Sequence, residues 1–172
     1  MHDLDAASHL AGRPKSLTAA TLVCADAAGR VLLVRTAYGR RRRQLPGGGV
    51  DRDTGETPRE AARREAWEEL GPDLAPGRLL AVDRIRREPR PTRVGWVYEG
   101  PFVDAELTAR IRLAPVELAA WRMAGPEEWE ALVPARTAAR LREVTRVLRE
   151  GGGPVELCEG RRVEEGGAGA DG

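Results

Sequence analysis

The chain is short of histidine, cysteine, lysine and aromatic residues, and each shortage narrows its chemistry. Two of its 172 residues are histidines, His2 and His9. Both fall in a stretch read as a flexible leader, so a histidine-based triad or histidine metal site is not expected. The two cysteines, Cys24 and Cys158, stand far apart without metal-ligand spacing. They are too few for a disulfide framework and read as buried thiols. Lys15 is the only lysine, which leaves arginine with almost all the positive charge. Arginine suits bidentate contact with phosphate, although a GC-rich genome produces the same bias. No apolar run approaches the roughly 18 residues of a membrane span, and MHDLDAASHLAGRPK lacks a basic flank followed by an apolar stretch. The expectation is a cytoplasmic protein without membrane contact. With 28 basic against 27 acidic residues the net charge is +1, so no bulk electrostatic attraction to nucleic acid is expected.

What remains is ordinary for one globular domain: 41% hydrophobic and 32% charged residues, enough to close a single core. We place the domain at residues 16–160, between a leader at 1–15 and a Gly-rich tail at 161–172. Apolar and β-branched runs predict strands at Leu17–Ala25 and Val31–Val34, paired across the turn cluster Asp26–Gly29. GRRRRQ at 39–44 leads into LPGGG at 45–49, read as a tight loop. Thr57 reads as an N-cap, Pro58 as the first helical residue and Glu60 as the partner in a capping box, with Gly71 and Pro72 as the stop, so a helix is predicted over 58–70. Further strands are predicted at Leu79–Arg86, Val94–Val103 and Val116–Met123, with Pro89 and Pro91 in a loop between the first two. Pro126–Leu132 and Arg136–Arg149 read as helices, and GGGPVELCEG as a last short strand. Strands mixed with a few helices predict a layered sheet protein of the α/β class.

The helix at 58–70 carries the chemistry. Residues three and four apart share a face, so Glu65, Glu68 and Glu69 project together while Ala62, Ala66 and Leu70 line an apolar strip beside them. Glu65 and Glu69 are like charges one turn apart, which costs roughly a few tenths of a kcal/mol unless a cation sits between them. Taken alone, such a run is usually a solvated face, and Glu60 with Arg64 fits an ordinary i,i+4 ion pair. Its context points elsewhere. Clustered carboxylates without histidine or thiolate partners form an oxygen-only site suited to Mg²⁺ or Mn²⁺. A glycine-rich turn just before the helix can bring backbone groups to the same metal and to phosphate oxygens. Together they predict phosphate-ester or anhydride chemistry.

The segment Gly48 to Pro72, GGVDRDTGETPREAARREAWEELGP, resembles the Nudix box, G-x5-E-x7-R-E-U-x-E-E-x-G-U, where U is a bulky aliphatic residue. Glu56, Arg64, Glu65, Glu68, Glu69 and Gly71 match in spacing, and LPGG with the flanking strands extends the similarity over most of residues 17 to 160. Seven residues rather than five separate Gly48 from Glu56. We read this as a two-residue insertion near Asp53-Thr54, which a loop absorbs for well under about 1 kcal/mol, leaving the helix in place. Ala66 and Pro72 replace aliphatic positions, and Arg43 stands where tryptophan often precedes LPGG.

The resemblance implies a Nudix-type α/β/α sandwich with a mixed β-sheet, similar to MutT-like proteins. It implies hydrolysis of a nucleoside diphosphate linked to another moiety: a nucleoside triphosphate, ADP-ribose or a similar small molecule, with Mg²⁺ or Mn²⁺. Carried over by position, Glu65, Glu68 and Glu69 are metal ligands with the Gly47 carbonyl as a fourth. Glu65, Glu68 and Arg64 are the catalytic set, and Glu56 and Gly48 support it. The general base is open among Glu65, Glu68 and the later Glu88, Glu99, Glu106 and Glu117. Signatures of dinucleoside-polyphosphate, NADH and coenzyme A members are missing, and Pro89 is commonplace for a loop. Arg84, Arg86, Arg87, Arg90 and Arg93 form a basic stretch able to steer an anion. Trp96, Tyr98, Trp121 and Trp129 read mostly as core. A catalytically silent Nudix-like module that binds a nucleotide or protein is the alternative, and a homodimer is left open.

Overall fold

Residues 31–34, VLLV, are buried one after another, and this decides how the chain is layered. Successive strand residues face opposite ways, so four buried in a row need apolar cover on both sides. The structure, a computed structural model describing residues 15–37 and 43–163, provides that cover as two cores. In chain order the elements are β1 (Ser16–Val23), β2 (Val31–Thr36), β3 (Arg43–Gln44), β4 (Gly47–Gly49), α1 (Pro58–Leu70), β5 (Leu79–Arg87), β6 (Arg90–Glu99), α2 (Ala105–Arg110), β7 (Leu118–Ala124), α3 (Trp129–Leu132), α4 (Ala135–Glu150), β8 (Val155–Cys158) and β9 (Arg161–Arg162). A six-stranded sheet runs β4-β1-β6-β5-β8-β9, and a three-stranded sheet runs β3-β2-β7. The larger sheet is mixed: β1 lies parallel to β6 and β5 parallel to β8, its other pairs antiparallel.

One core gathers Val31 and Leu33 with Trp129 and the α4 residues Ala138, Leu141, Val144 and Val147. The other gathers Leu32 and Val34 with the α1 residues Ala61, Ala62, Ala66 and Leu70. A mixed sheet with helices on either side is the Nudix sandwich expected from the box. Among the described residues, no helix is long and apolar enough to cross a membrane.

Helix α1 forms where its punctuation predicts. Thr57 Oγ1 accepts from the Glu60 N–H at 3.3 Å, Glu60 Oε2 accepts from the Thr57 N–H at 2.8 Å, and Pro58 opens the helix. Gly71, at φ 92°, sends its N–H back to the Trp67 carbonyl and stops it. Ala61, Ala62 and Ala66 are fully buried, and their small side chains let the helix axis approach β1 and β4 closely. That approach lays the glutamates against the glycines of β4. The inserted turn at 52–55 is solvent-exposed and leaves the helix in register.

Several expectations are corrected. β1 and β2 do not form a ladder: they belong to different sheets, and backbone bonds join β2 to the chain just past β1, where the Leu32 N–H donates to the Cys24 carbonyl at 2.9 Å and at the Ala25–Val31 bridge. Both edges of β1 are already taken, by β4 and β6. The expected loop at 45–49 contains a strand, β4, because its glycines pair with Ala19, Ala20 and Thr21. β6 starts at Arg90, so Pro91 lies inside a strand. It ends at Glu99 rather than Val103, and α3 covers only the last turn of the predicted 126–132 helix. The six-residue α2, capped by Asp104, escaped notice because it buries no residue and leaves no apolar period. Cys24 is buried as expected, but Cys158 is only partly so.

Candidate active site

Four elements bring the box residues together: β4, the following loop, α1 and the core beneath them. Glu69, one of few buried charged residues at 5% exposure, accepts the Gly47 N–H on Oε2 at 2.9 Å. Glu65 lies against Gly48 so closely that a Cβ there would sit 2.3 Å from its Oε2. Only glycine leaves that carboxylate its place. Arg64 is the hub of the outer half. Its Nε and Nη2 hold both oxygens of Glu56 at 2.7 and 3.0 Å. Its Nη1 reaches Glu65 Oε1 and Glu68 Oε2, each at 3.1 Å, and its Nη2 also donates to the Gly49 carbonyl at 3.1 Å. Glu56 is further fixed by the Asp51 N–H at 2.9 Å, which ties the inserted loop to the helix. The alternative surface pair of Glu60 with Arg64 does not form: Glu60 serves the cap and Arg64 serves the box.

The electrostatics divide these carboxylates. The Arg64 hydrogen bonds hold Glu56 below the usual carboxylate range, and Glu56 in turn raises Arg64 above its ordinary value. Burial pushes Glu65 up against the opposing pull of Arg64, and the charges of Glu68 and Glu117 add to the rise. Burial pushes Glu69 up to about 7 despite the Gly47 N–H, with Glu65, Glu117 and Glu68 adding repulsion. The inner half of the site is thus an excess of negative charge with few compensating donors. Among the described residues, no three acidic, histidine or cysteine side chains are gathered so as to hold a metal ion. Glu68, 43% exposed at its side chain, is turned outward to Arg64 while Glu69 is turned inward to Gly47.

Glu65, Glu69 and Gly47–Gly49 form one wall of a cavity of about 470 Å³. Of the later glutamates, Glu117 lines this cavity, whereas Glu99 is paired with Arg78 at 3.0 Å and neither Glu88 nor Glu106 lines it. Of the basic stretch at 84–93, Arg93 lines the cavity. Arg43, Arg136 and Arg140 also line it. Sequence reading gave Arg43 no part in the site and did not single out the other two, since nothing local ties them to the box. Trp129 is buried, its Nε1–H donating to the Ala124 carbonyl at 3.1 Å, and the Arg59 guanidinium stacks 4.7 Å from the Tyr98 ring centre. Trp96 and Trp121 pack on the α1-side core.

The NUDIX domain family model matches residues 15–148. No curated protein matches the chain. Among solved structures, a MutT protein from Methanosarcina mazei Go1 is 23% identical, covering 81% of this chain and 97% of that one at a TM-score of 0.64. A UDP-X diphosphatase is 18% identical, covering 91% of this chain and 76% of that one at a TM-score of 0.66. An ADP-ribose pyrophosphatase from Streptococcus suis 89-1591 is 20% identical, covering 84% of this chain and 99% of that one at a TM-score of 0.59. With the family match running from β1 almost to the end of α4, across every residue of the box, the chain belongs to the Nudix family of hydrolases.

Proposed function

We propose that the chain hydrolyses the pyrophosphate bridge of a nucleoside diphosphate linked to another moiety, with Mg²⁺ or Mn²⁺ as cofactor. The observation that carries this reading is the pair Glu65 and Glu69, two carboxylates pressed by burial and mutual repulsion against a glycine strand at a cavity wall. A divalent cation relieves that stress, and an all-oxygen donor set suits Mg²⁺. Glu65, Glu68 and Glu69, with the Gly47 carbonyl, would hold the ion. When bound, it neutralises charge on the phosphoryl oxygens, the main demand of phosphoryl transfer.

The chain's own residues do the rest. The Gly47 N–H fixes which oxygen of Glu69 faces inward, and Gly48 leaves Glu65 room beside the backbone. Arg64 is a positioning residue: by holding Glu56, Glu65 and Glu68 it sets where the carboxylates point. Glu117 lines the cavity close enough for its charge to push up Glu65 and Glu69, so it is our choice for the base that takes a proton from the attacking water. Water then forms the new P–O bond as the bridging P–O bond breaks.

The UDP-X diphosphatase and ADP-ribose pyrophosphatase among the similar structures support a pyrophosphate substrate of this kind. A silent binding module is favoured by one observation, that Arg64 holds two of the glutamates apart from the third. Assay of ADP-ribose, nucleoside triphosphates, oxidised dGTP and sugar nucleotides with Mg²⁺, then with chelator, separates the readings. Chelator-sensitive hydrolysis is expected for at least one, and none across the panel would replace the enzyme with the binding module.

A further inference from the structure

We infer that the arginines lining this cavity form a second anion site, selecting pyrophosphates whose far moiety carries an additional phosphate or carboxylate. This deepens the pyrophosphohydrolase reading and rests on it for the substrate's other half. Arg43 from β3, Arg93 from β6, and Arg136 and Arg140 from the start of α4 all line the same cavity. Arg140 is only 13% exposed at its side chain, its one ion-pair partner among the described residues is Asp83 at 3.5 Å, and its Nε has no hydrogen-bond partner there. Asp83 is itself shared, accepting the Gly160 N–H on its other oxygen at 3.1 Å. Arg140 is therefore a desolvated cation with a loose and divided counter-charge. Arg43 is similar: Nη1 lacks a hydrogen-bond partner, and burial with the cations Arg122 and Arg35 works against its charge, offset in part by Glu128.

Backbone geometry adds to the side chains. α4 is 16 residues long, begins at this cavity, and its N-cap, Pro134, offers no side-chain hydrogen bond. Its positive dipole end is left for an outside anion. Gly95 lies beneath Arg140, where a Cβ would come 3.5 Å from Nη1, so the guanidinium is not walled off by a side chain. Three carboxylates, Glu65, Glu69 and Glu117, line the same cavity as these four arginines. With Asp83 counted against Arg140 these charges balance, so a divalent ion bound at the carboxylates would leave the cavity positive. Among the described residues no aromatic ring lines the cavity, so it offers charge rather than stacking. A volume of about 470 Å³ is within the range of small-molecule sites.

The test uses matched substrates with the full chain and Mg²⁺: UDP-glucose against UDP-glucuronate, and ADP-ribose against ADP-ribose 1″-phosphate, whose extra phosphate is on the far ribose. At least one anionic member is expected to have a KM about 10-fold lower than its neutral partner at similar kcat. R136Q, on the exposed start of α4, and the double variant D83N/R140M, which leaves no lone buried charge, should erase that preference without changing the neutral substrate's KM or kcat. Equal KM values within both pairs, or variants that slow both members alike, would overturn the proposal. If nothing is hydrolysed, calorimetric titration of inorganic tripolyphosphate decides: binding lost in R136Q keeps the anion site and condemns the hydrolase reading, whereas no binding overturns the site.

Discussion

Two of the cavity's three carboxylates, with the glycines beside them, come from one stretch of chain, Gly47 to Glu69, and Glu117 joins them from the turn before β7, whereas its arginines are gathered from β3, β6 and the start of α4. Helical spacing places Glu65, Glu68 and Glu69 side by side wherever the helix goes, and Arg64 travels with them. Nothing comparable joins Arg43, Arg93 and Arg140; they meet because two sheets and a helix stack. The helix carboxylates are a property of a segment and the arginines of the fold. Their substitutions should therefore read out differently, in turnover on one side and in substrate choice on the other.

The sharpest way to break this contrast is Glu69→Gln. An amide oxygen can still accept the Gly47 N–H, so the fold should persist while Mg²⁺-dependent turnover falls at least about 10²-fold. Turnover within about threefold of the parent, measured at saturating substrate, would remove Glu69 from the site. Gly48→Ala should cost about 10-fold in kcat, because its Cβ would displace Glu65 Oε2, the movable end of a side chain. A melting temperature within a few degrees of the parent is expected alongside.

A third prediction concerns pH. Folded Glu69, with its carboxyl raised to about 7, holds a proton more tightly than an unfolded glutamate. Its favourable contribution is complete below the ordinary carboxylate range and is lost as pH rises through about 7. The metal-free protein should therefore melt lower at about pH 8 than at about pH 5, and Glu69→Gln should flatten that slope. Added Mg²⁺ should stabilise more at the higher pH, since it needs the carboxylate form. A metal effect independent of pH would place the ion elsewhere. Smallest is Thr57→Ala, which removes the cap of α1: about 1 kcal/mol and a few degrees of melting temperature, with kcat unchanged.

Legibility in the sequence tracked the range of the physics involved. α1 was readable to the residue because Thr57, Pro58, Glu60 and Gly71 each act within a turn of their own position. β5, β7 and α4 were readable to within a few residues from apolar runs. The pairing of β1 was not, because which strands flank it is a competition among distant segments: β4 and β6 win over β2. Glu117 could not be told from Glu88, Glu99 and Glu106 until the turn before β7 delivered it to the cavity.

By itself, the sequence determined the acidic helix, its caps and the alignment of Arg64 with Glu56, Glu65 and Glu68, since covalent spacing and local hydrogen bonds suffice for these. Only the tertiary structure decided how deeply Glu65 and Glu69 are buried, which glycine each one meets, and that arginines from three elements share a cavity with them. Desolvation and the summed field of distant charges depend on what surrounds a residue in space, and the order of the chain leaves that open until the layers close.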